Sequence, residues 1–263
     1  PFGDLTTHAL GIGERPGRMV FEARDAMVVA ASEEAARLLV RVGCTVDVLC
    51  PSGCPVEAGA SLLAATGPAA ALLAGWKVAQ TLMEYTSGIA TVAHRIVEAA
   101  RAVNPAVVVA CTRKTFPGTK ALSLKAILAA GAVPHRLGLS ETVLVFPEHR
   151  VFLAGEDDVA ALARLKIACP ERKIVVEVNS LDEAVLAARA GADVVQLEKF
   201  SPEAVAAVVA RLADTAAAVK VAAAGGVKPA NAAAYVRAGA RILVTSAPYF
   251  APPADVKVSI SAC

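Results

Sequence analysis

From about residue 104 onward, apolar and polar positions repeat one beat: a short run rich in Val, Ile and Leu, a loop of polar residues or Gly, then an Ala-rich segment with helical spacing. This alternation is the mark of βα units. It predicts strands at Ala106 to Ala110, Thr142 to Phe146, Lys173 to Val178, Asp193 to Leu197, Lys220 to Ala223 and Arg241 to Val244. The intervening helices fall near Lys120 to Ala130, Asp157 to Ile167, Leu181 to Ala190, Pro202 to Leu212 and Pro229 to Ala238. Ser201-Pro202 reads as an N-cap followed by the first helical position, and Ala190-Gly191 and Ala238-Gly239 read as helix stops. Strands apolar on both faces belong to a parallel sheet, and six successive βα steps point to a closed or nearly closed barrel. A doubly wound open sheet is the alternative, but no strand is followed by G-x-G-x-x-G.

The first 103 residues lack this beat. Short strands are expected at Arg18 to Ala23, Met27 to Ala30 and Thr45 to Leu49, and Gly67 to Ala100 reads as mostly helix, interrupted at Ser87-Gly88. The tail from Val256 to Ile260 alternates like an edge strand that returns to this first unit. The expected organisation is therefore an α+β domain over residues 1–103, joined by a C-terminal strand within 249–263, and a barrel over 104–248.

Composition narrows the class. With 263 residues and a mean hydropathy of +0.55, the chain can bury a large core. Charged residues break every apolar run before it reaches the roughly 20 residues that span a bilayer, so no membrane partner is expected. The formal charge of +2 and the lack of Lys/Arg runs argue against nucleic acid. No basic-then-apolar leader follows the opening Pro1-Phe2-Gly3-Asp4, and without an initiator Met the natural start is expected to be missing. The six cysteines lack disulfide or zinc-ribbon spacing and fit a reducing cytoplasm.

In a βα barrel the residues just after each strand share one rim. Here the strand ends and the loops after them supply Arg113 and Lys114, His135 and Arg136 in the next loop, Glu148 and His149, Glu177 within its strand, Glu198 and Lys199, Ala224-Gly225-Gly226, and Thr245-Ser246. Glu177 lies inside Val175-Val176-Glu177-Val178, where a buried strand does not normally tolerate a charge, so it is a functional candidate. Glu198 at its strand end is similar. The Gly225-Gly226 pair, followed by a helix, suits a phosphate cradle. Cations, carboxylates and a phosphate cradle together suit a phosphorylated sugar. Ribosyl transfer from a pyrophosphate leaving group needs this mixture, because positive charge develops on the sugar while negative charge builds on the departing group.

These residues carry a family resemblance. Gly3-Asp4-Leu5-Thr6-Thr7, Ser87-Gly88-Ile89-Ala90-Thr91, Thr112-Arg113-Lys114-Thr115-Phe116-Pro117-Gly118, His135-Arg136-Leu137-Gly138-Leu139, Glu177-Val178 and Gly225-Gly226 occur in this order. Across nearly its whole length the chain resembles the quinolinate phosphoribosyltransferases, the carboxylating nicotinate-nucleotide pyrophosphorylases. The resemblance implies an α/β protein with an N-terminal α/β sandwich and an open α/β barrel of the type II phosphoribosyltransferase kind. It also implies a homodimer with shared active sites, or a higher homo-oligomer. The implied reaction joins quinolinate to phosphoribosyl pyrophosphate with Mg²⁺, releasing pyrophosphate and carbon dioxide.

Carried over by position, Lys114, Glu177 and Glu198 resemble the catalytic residues that meet phosphoribosyl pyrophosphate and its Mg²⁺, the two carboxylates through water or directly. Glu198 stands where the family has Asp. Arg113, His135 and Arg136 resemble the clamp for the acceptor's carboxylates, and Lys77 stands where the partner subunit supplies an Arg. Ala224, Gly225, Gly226, Thr245 and Ser246 match the sugar-phosphate loops, with Thr245 replacing a Gly. The largest departure is Leu144-Val145-Phe146-Pro147-Glu148-His149, where the family reads Leu-Ile-Lys-Asp-Asn-His. Phe146 removes a cation from the acceptor side. This pattern resembles the pyrophosphorylase subgroup associated with bacterial molybdenum-transport operons and implies a small aromatic acceptor altered from quinolinate. Unmodified quinolinate chemistry in NAD synthesis, non-catalytic binding of a nucleotide or of an oxyanion such as molybdate, and a lysine-imine enzyme using Lys114 or Lys199 remain the alternatives.

Overall fold

A computed structural model describes residues 3–214, 216 and 218–263; Pro1, Phe2, Thr215 and Ala217 lie outside the described residues. The chain forms two compact units, the first comprising 1–94, 115–131 and 248–263 and the second 95–114 and 132–247. Residues 115–131, expected in the barrel domain, cluster instead with the first unit.

In chain order the first unit begins with α1 (Leu5–Ala9), β1 (Pro16–Ala23), β2 (Met27–Val28), α2 (Ser32–Arg41) and β3 (Thr45–Val48). It continues through β4 (Pro55–Val56), β5 (Ser61–Pro68) and α3 (Ala69–Arg101), which belongs to this unit up to His94. Its main sheet is antiparallel in the order β3, β5, β1 and then the C-terminal strand (Val256–Ala262). The tail thus pairs with β1 from Gly17 opposite Ala262 to Ala23 opposite Val256. Alternation explains β1: Met19, Phe21 and Ala23 are buried, while Arg18 faces out. These residues join Leu39 of α2, Leu72 and Met83 of α3, and Leu62 and Leu63 of β5 in one core. Each fully buried side chain of this size contributes about 1.5–3 kcal/mol.

Two features differ from the sequence expectation. Strand β5 and helix α2 were not foreseen, because β5 is rich in Ala and Gly and takes its strand character from pairing with β1 and β3 on both sides. Helix α3 also runs through Ser87-Gly88 without a break. Ser87 accepts the Ala30 N–H at 3.0 Å, and Gly88 lets Pro252 approach so closely that a Cβ there would lie 2.2 Å from the Pro252 carbonyl oxygen. The pair reads as a helix breaker locally, yet it is a docking point.

The second unit holds β6 (Val108–Cys111), after which α4 (Lys120–Ala129) clusters with the first unit. Then follow β7 (Val133–Pro134), β8 (Val143–Val145), α5 (Pro147–Arg150), α6 (Asp158–Ala168), β9 (Ile174–Val178), α7 (Leu181–Arg189) and β10 (Val194–Glu198). The unit closes with α8 (Pro202–Ala213), β11 (Lys220–Ala224), α9 (Pro229–Arg237) and β12 (Ile242–Thr245), and the chain ends in β13, the C-terminal strand already described. The sheet is parallel, in the order β7-β6-β12-β11-β10-β9-β8. Because β6 pairs with both β7 and the last barrel strand, β12, the sheet curls back on itself. It is open between β7 and β8 among the described residues. This is the open barrel expected from the sequence, with the short β7 as an additional strand. Inside it Val194, Ala222, Ala224 and Val244 pack with Val175 and Ile242. No helix among the described residues is long and apolar enough to cross a membrane.

Gly88→Ala is expected to lower stability by roughly 1–3 kcal/mol, because the obstacle is backbone and cannot rotate away. A thermal midpoint equal to that of the parent chain would contradict this packing.

Candidate functional site

The C-terminal ends of the barrel strands surround a cavity of about 480 Å³. Backbone hydrogen bonds knit its rim: Thr112 N–H donates to Thr245 C=O at 2.9 Å, His135 N–H to Cys111 C=O at 2.8 Å, and Lys199 N–H to Ala224 C=O at 2.8 Å. Thr112 and Thr245, 133 residues apart in sequence, are thereby neighbours, because β6 pairs with β12. The cavity gathers Arg113, Lys114, His135, Arg136, Phe146, Glu177, Glu198, Ala224, Gly225, Gly226, Thr245 and Ser246. Every rim residue carried over from the family pattern is there except Lys77. That residue lies on α3 in the first unit, with its ammonium 4.4 Å from the Trp76 ring centroid and donating to Gln80.

The cationic side holds two guanidiniums, and the second feels the first. Burial and then the neighbouring Arg113 push Arg136 below its ordinary value. The Arg136 guanidinium also sits 5.3 Å from the Phe146 ring centroid, a cation–π contact. His135 is pushed below 6.5 by burial first, then by Arg136 and Arg113, against an opposing influence of Gln196. Such a cluster of positive charge is relieved by an anion.

Across the cavity, burial pushes the Glu177 carboxyl above its ordinary value. The Gln196 hydrogen bond and Lys114 oppose this, while Glu198 and Glu148 add to it. Two carboxylates that repel one another beside an anion site fit Mg²⁺, which binds through one or two carboxylates together with phosphate oxygens. Among the described residues no group of three or more His, Cys, Asp or Glu forms a metal cluster.

Between these sides lies the glycine turn. Gly225 and Gly226 have φ of +79° and +90°, which glycine adopts without the penalty of a side chain. A Cβ on Gly225 would fall 2.8 Å from Glu198 Oε1, whereas one on Gly226 would meet nothing within 4 Å. The first glycine therefore fits beneath a carboxylate, and the second leaves its backbone open to a ligand. Asn231, in the first turn of α9, donates to the Gly226 carbonyl at 3.0 Å and accepts the Lys228 N–H at 2.8 Å, which fixes the turn to the helix start.

Of three further rim candidates, one lines the cavity with its hydroxyl already engaged and two lie outside the lining. The Thr245 hydroxyl donates to Val227 C=O at 2.7 Å and accepts the Ala247 N–H at 3.0 Å, so it braces its own loop. His149 accepts the Phe146 N–H through Nδ1 at 2.9 Å and stacks on that ring, and it does not line the cavity. Lys199 also lies outside the lining, in a left-handed conformation with φ of +61°. Conversely, Gln196 lines the cavity at 4% exposure. It interrupts Val194-Val195-Gln196-Leu197 just as Glu177 interrupts its own strand, so the same signal marks it. Cys111, at the end of β6, is buried, and burial pushes its thiol up to about 12, consistent with an inert packing residue.

An open βα barrel with an anion rim, paired carboxylates and a glycine turn at its C-terminal face defines a class of sugar-phosphate enzymes. The chain belongs to the quinolinate phosphoribosyl transferase family of pentosyltransferases: its N-terminal domain model matches residues 4–87 and its C-terminal domain model residues 89–259. A Rhodobacter capsulatus protein named as a pyrophosphorylase, ModD, is 56% identical over 92% of this chain and 93% of its own length. The human carboxylating nicotinate-nucleotide pyrophosphorylase is 36% identical over 76% of this chain and 67% of its own. The fold is that of NadC from Streptococcus pyogenes, with a TM-score of 0.87 at 22% identity over 99% of this chain and 91% of that one. The Francisella tularensis nicotinate-nucleotide pyrophosphorylase gives a TM-score of 0.87 at 21% identity over 98% and 90%.

The His135 side chain is expected to titrate below the ordinary histidine value of 6.5 in an NMR pH series, and Arg136→Ala should move its midpoint upward. A midpoint at or above 6.5 in the unliganded protein would contradict the cationic surroundings described.

Proposed function

We propose that this chain transfers the ribosyl phosphate of phosphoribosyl pyrophosphate to a small aromatic acid acceptor other than quinolinate, releasing pyrophosphate. The observation that carries the reading is the single cavity holding Arg113, Lys114, His135 and Arg136 on one side, Glu177 and Glu198 on another, and the Gly225-Gly226 turn between them.

The roles follow from charge. Gly226, with Gly225 and Ser246, offers open backbone and a hydroxyl to the sugar phosphate, and Lys114 places positive charge where the pyrophosphate departs. Glu177 and Glu198 are the residues that would hold Mg²⁺, which when bound neutralises charge on the pyrophosphate. The same carboxylates face the sugar carbon as it becomes electron-poor. Arg113, Arg136 and His135 fix the acceptor by its acid so that its nucleophilic nitrogen meets that carbon, converting a bimolecular encounter into a positioned one.

Phe146 supports the altered acceptor. It puts an aromatic ring where the family pattern has Lys, and that ring covers the Arg136 guanidinium. Losing one charge-assisted contact to a desolvated carboxylate costs roughly 1.5–3 kcal/mol, or one to two orders of magnitude in binding. We further propose a homodimer. Val78, Tyr85 and Phe116 are exposed along an apolar groove of the first unit, a surface suited to a second copy, and Lys77 borders it, suited to serve the partner's acceptor.

Lys114→Ala is expected to abolish pyrophosphate release from phosphoribosyl pyrophosphate across a panel of aromatic acids while leaving the thermal midpoint near that of the parent. A chain that neither binds phosphoribosyl pyrophosphate nor loses activity on this change would overturn the reading. Phe146→Lys should raise kcat/KM for quinolinate by roughly 10-fold or more; no gain, with phosphoribosyl pyrophosphate still bound, would remove Phe146 from acceptor choice.

A further inference from the structure

Gln196 is out of character in the barrel interior. The barrel's interior cluster, with Val175, Val194, Ala222 and Ile242, is apolar, and the register partners of Gln196 are Glu177 on β9 and Ala222 on β11. Its Nε2 donates to Glu177 Oε2 at 2.6 Å. An ionised carboxylate only accepts, so this bond fixes the amide and leaves Oε1 on the other side. That oxygen is buried, and among the described residues no donor reaches it in hydrogen-bonding geometry. It lies near enough to the His135 ring to favour the ring's protonated form, yet the pair is not closed. A buried amide oxygen left unpaired forfeits a hydrogen bond, and such atoms in native proteins call for an explanation. Here the side chain borders the cavity, beside the acceptor clamp.

Resting on the phosphoribosyltransferase reading above, we propose that Gln196 selects the acceptor, pairing its free oxygen with a neutral donor, a hydroxyl or amino group, on the ring of an aromatic monocarboxylic acid. The chemistry of the neighbours fits this partner. A carboxylate in that position would set lone pairs against Gln196 Oε1, and Phe146 supplies no cation to offset them. A hydroxyl can donate to Gln196 and accept from His135 at once. Arg113 and Arg136 remain for the acid. Because the other end of the same amide holds Glu177, acceptor choice is tied mechanically to the carboxylate that faces the sugar.

The test is calorimetric binding to the full chain of nicotinate, quinolinate and a set of nicotinates bearing one amino or hydroxyl group at each free ring carbon. At least one donor-bearing acid should bind about 10-fold tighter than nicotinate and quinolinate. Gln196→Leu should erase that advantage, the donor-bearing acid losing about 10-fold more than nicotinate does, and Gln196→Met, closer in shape, should repeat the result if the Leu variant unfolds. Absence of any donor-dependent gain, its persistence in both variants, or an equal loss for all acids would overturn the proposal. Phosphoribosyl pyrophosphate binding in the same experiment separates the two readings. If that sugar fails to bind while the Gln196-dependent preference stands, the transferase reading falls alone. If the sugar binds and pyrophosphate is released without that preference, the Gln196 role falls alone.

Discussion

The pairing of β6 with both β7 and β12 is the constraint on which the site depends. It brings the last barrel strand beside the first, so that Thr112 bonds Thr245 and the Arg113-Lys114 turn borders the Ser246 loop. A sheet ordered as the strands occur in sequence would leave these residues far apart. Curling places every strand end on one rim, and the charges meet there because each lies at the end of its strand or within a few residues of it.

That rim is arranged as a set of unrelieved tensions. Burial and Arg113 depress Arg136, burial and both guanidiniums depress His135, Glu177 is raised by burial and by Glu198, and Gln196 keeps an oxygen without a donor. Each would be expensive in an ordinary core. Under the proposals above, the ligand they complement is anionic at the guanidiniums, brings a cation to the carboxylates, and is polar but uncharged at Gln196. Within the second unit, the apolar residues packed inside the barrel offset that cost.

Much of this was readable from residues. The strand-loop-helix beat found six of the seven barrel strands, since short runs of β-branched residues buried on both faces leave a strong imprint. Glu177 stood out because a charge inside an apolar run has few structural explanations. Gln196 carried the same imprint in weaker form, an uncharged amide that a core can satisfy. Strand β5 left little trace because Ala and Gly have no strand preference of their own, and Ser87-Gly88 misled because the reason for the glycine is Pro252, more than 160 residues away.

The sequence by itself determined the class, the barrel and the identity of the charged groups, because periodicity and motif order are local properties. Only the tertiary structure decided which groups share a cavity, that Thr245 braces its own loop, that His149 stacks on Phe146 instead of lining the site, and that Gln196 lies by His135 with an oxygen to spare. Those facts depend on which atoms fill one another's hydrogen bonds, and partners distant in sequence become neighbours only when the sheet curls.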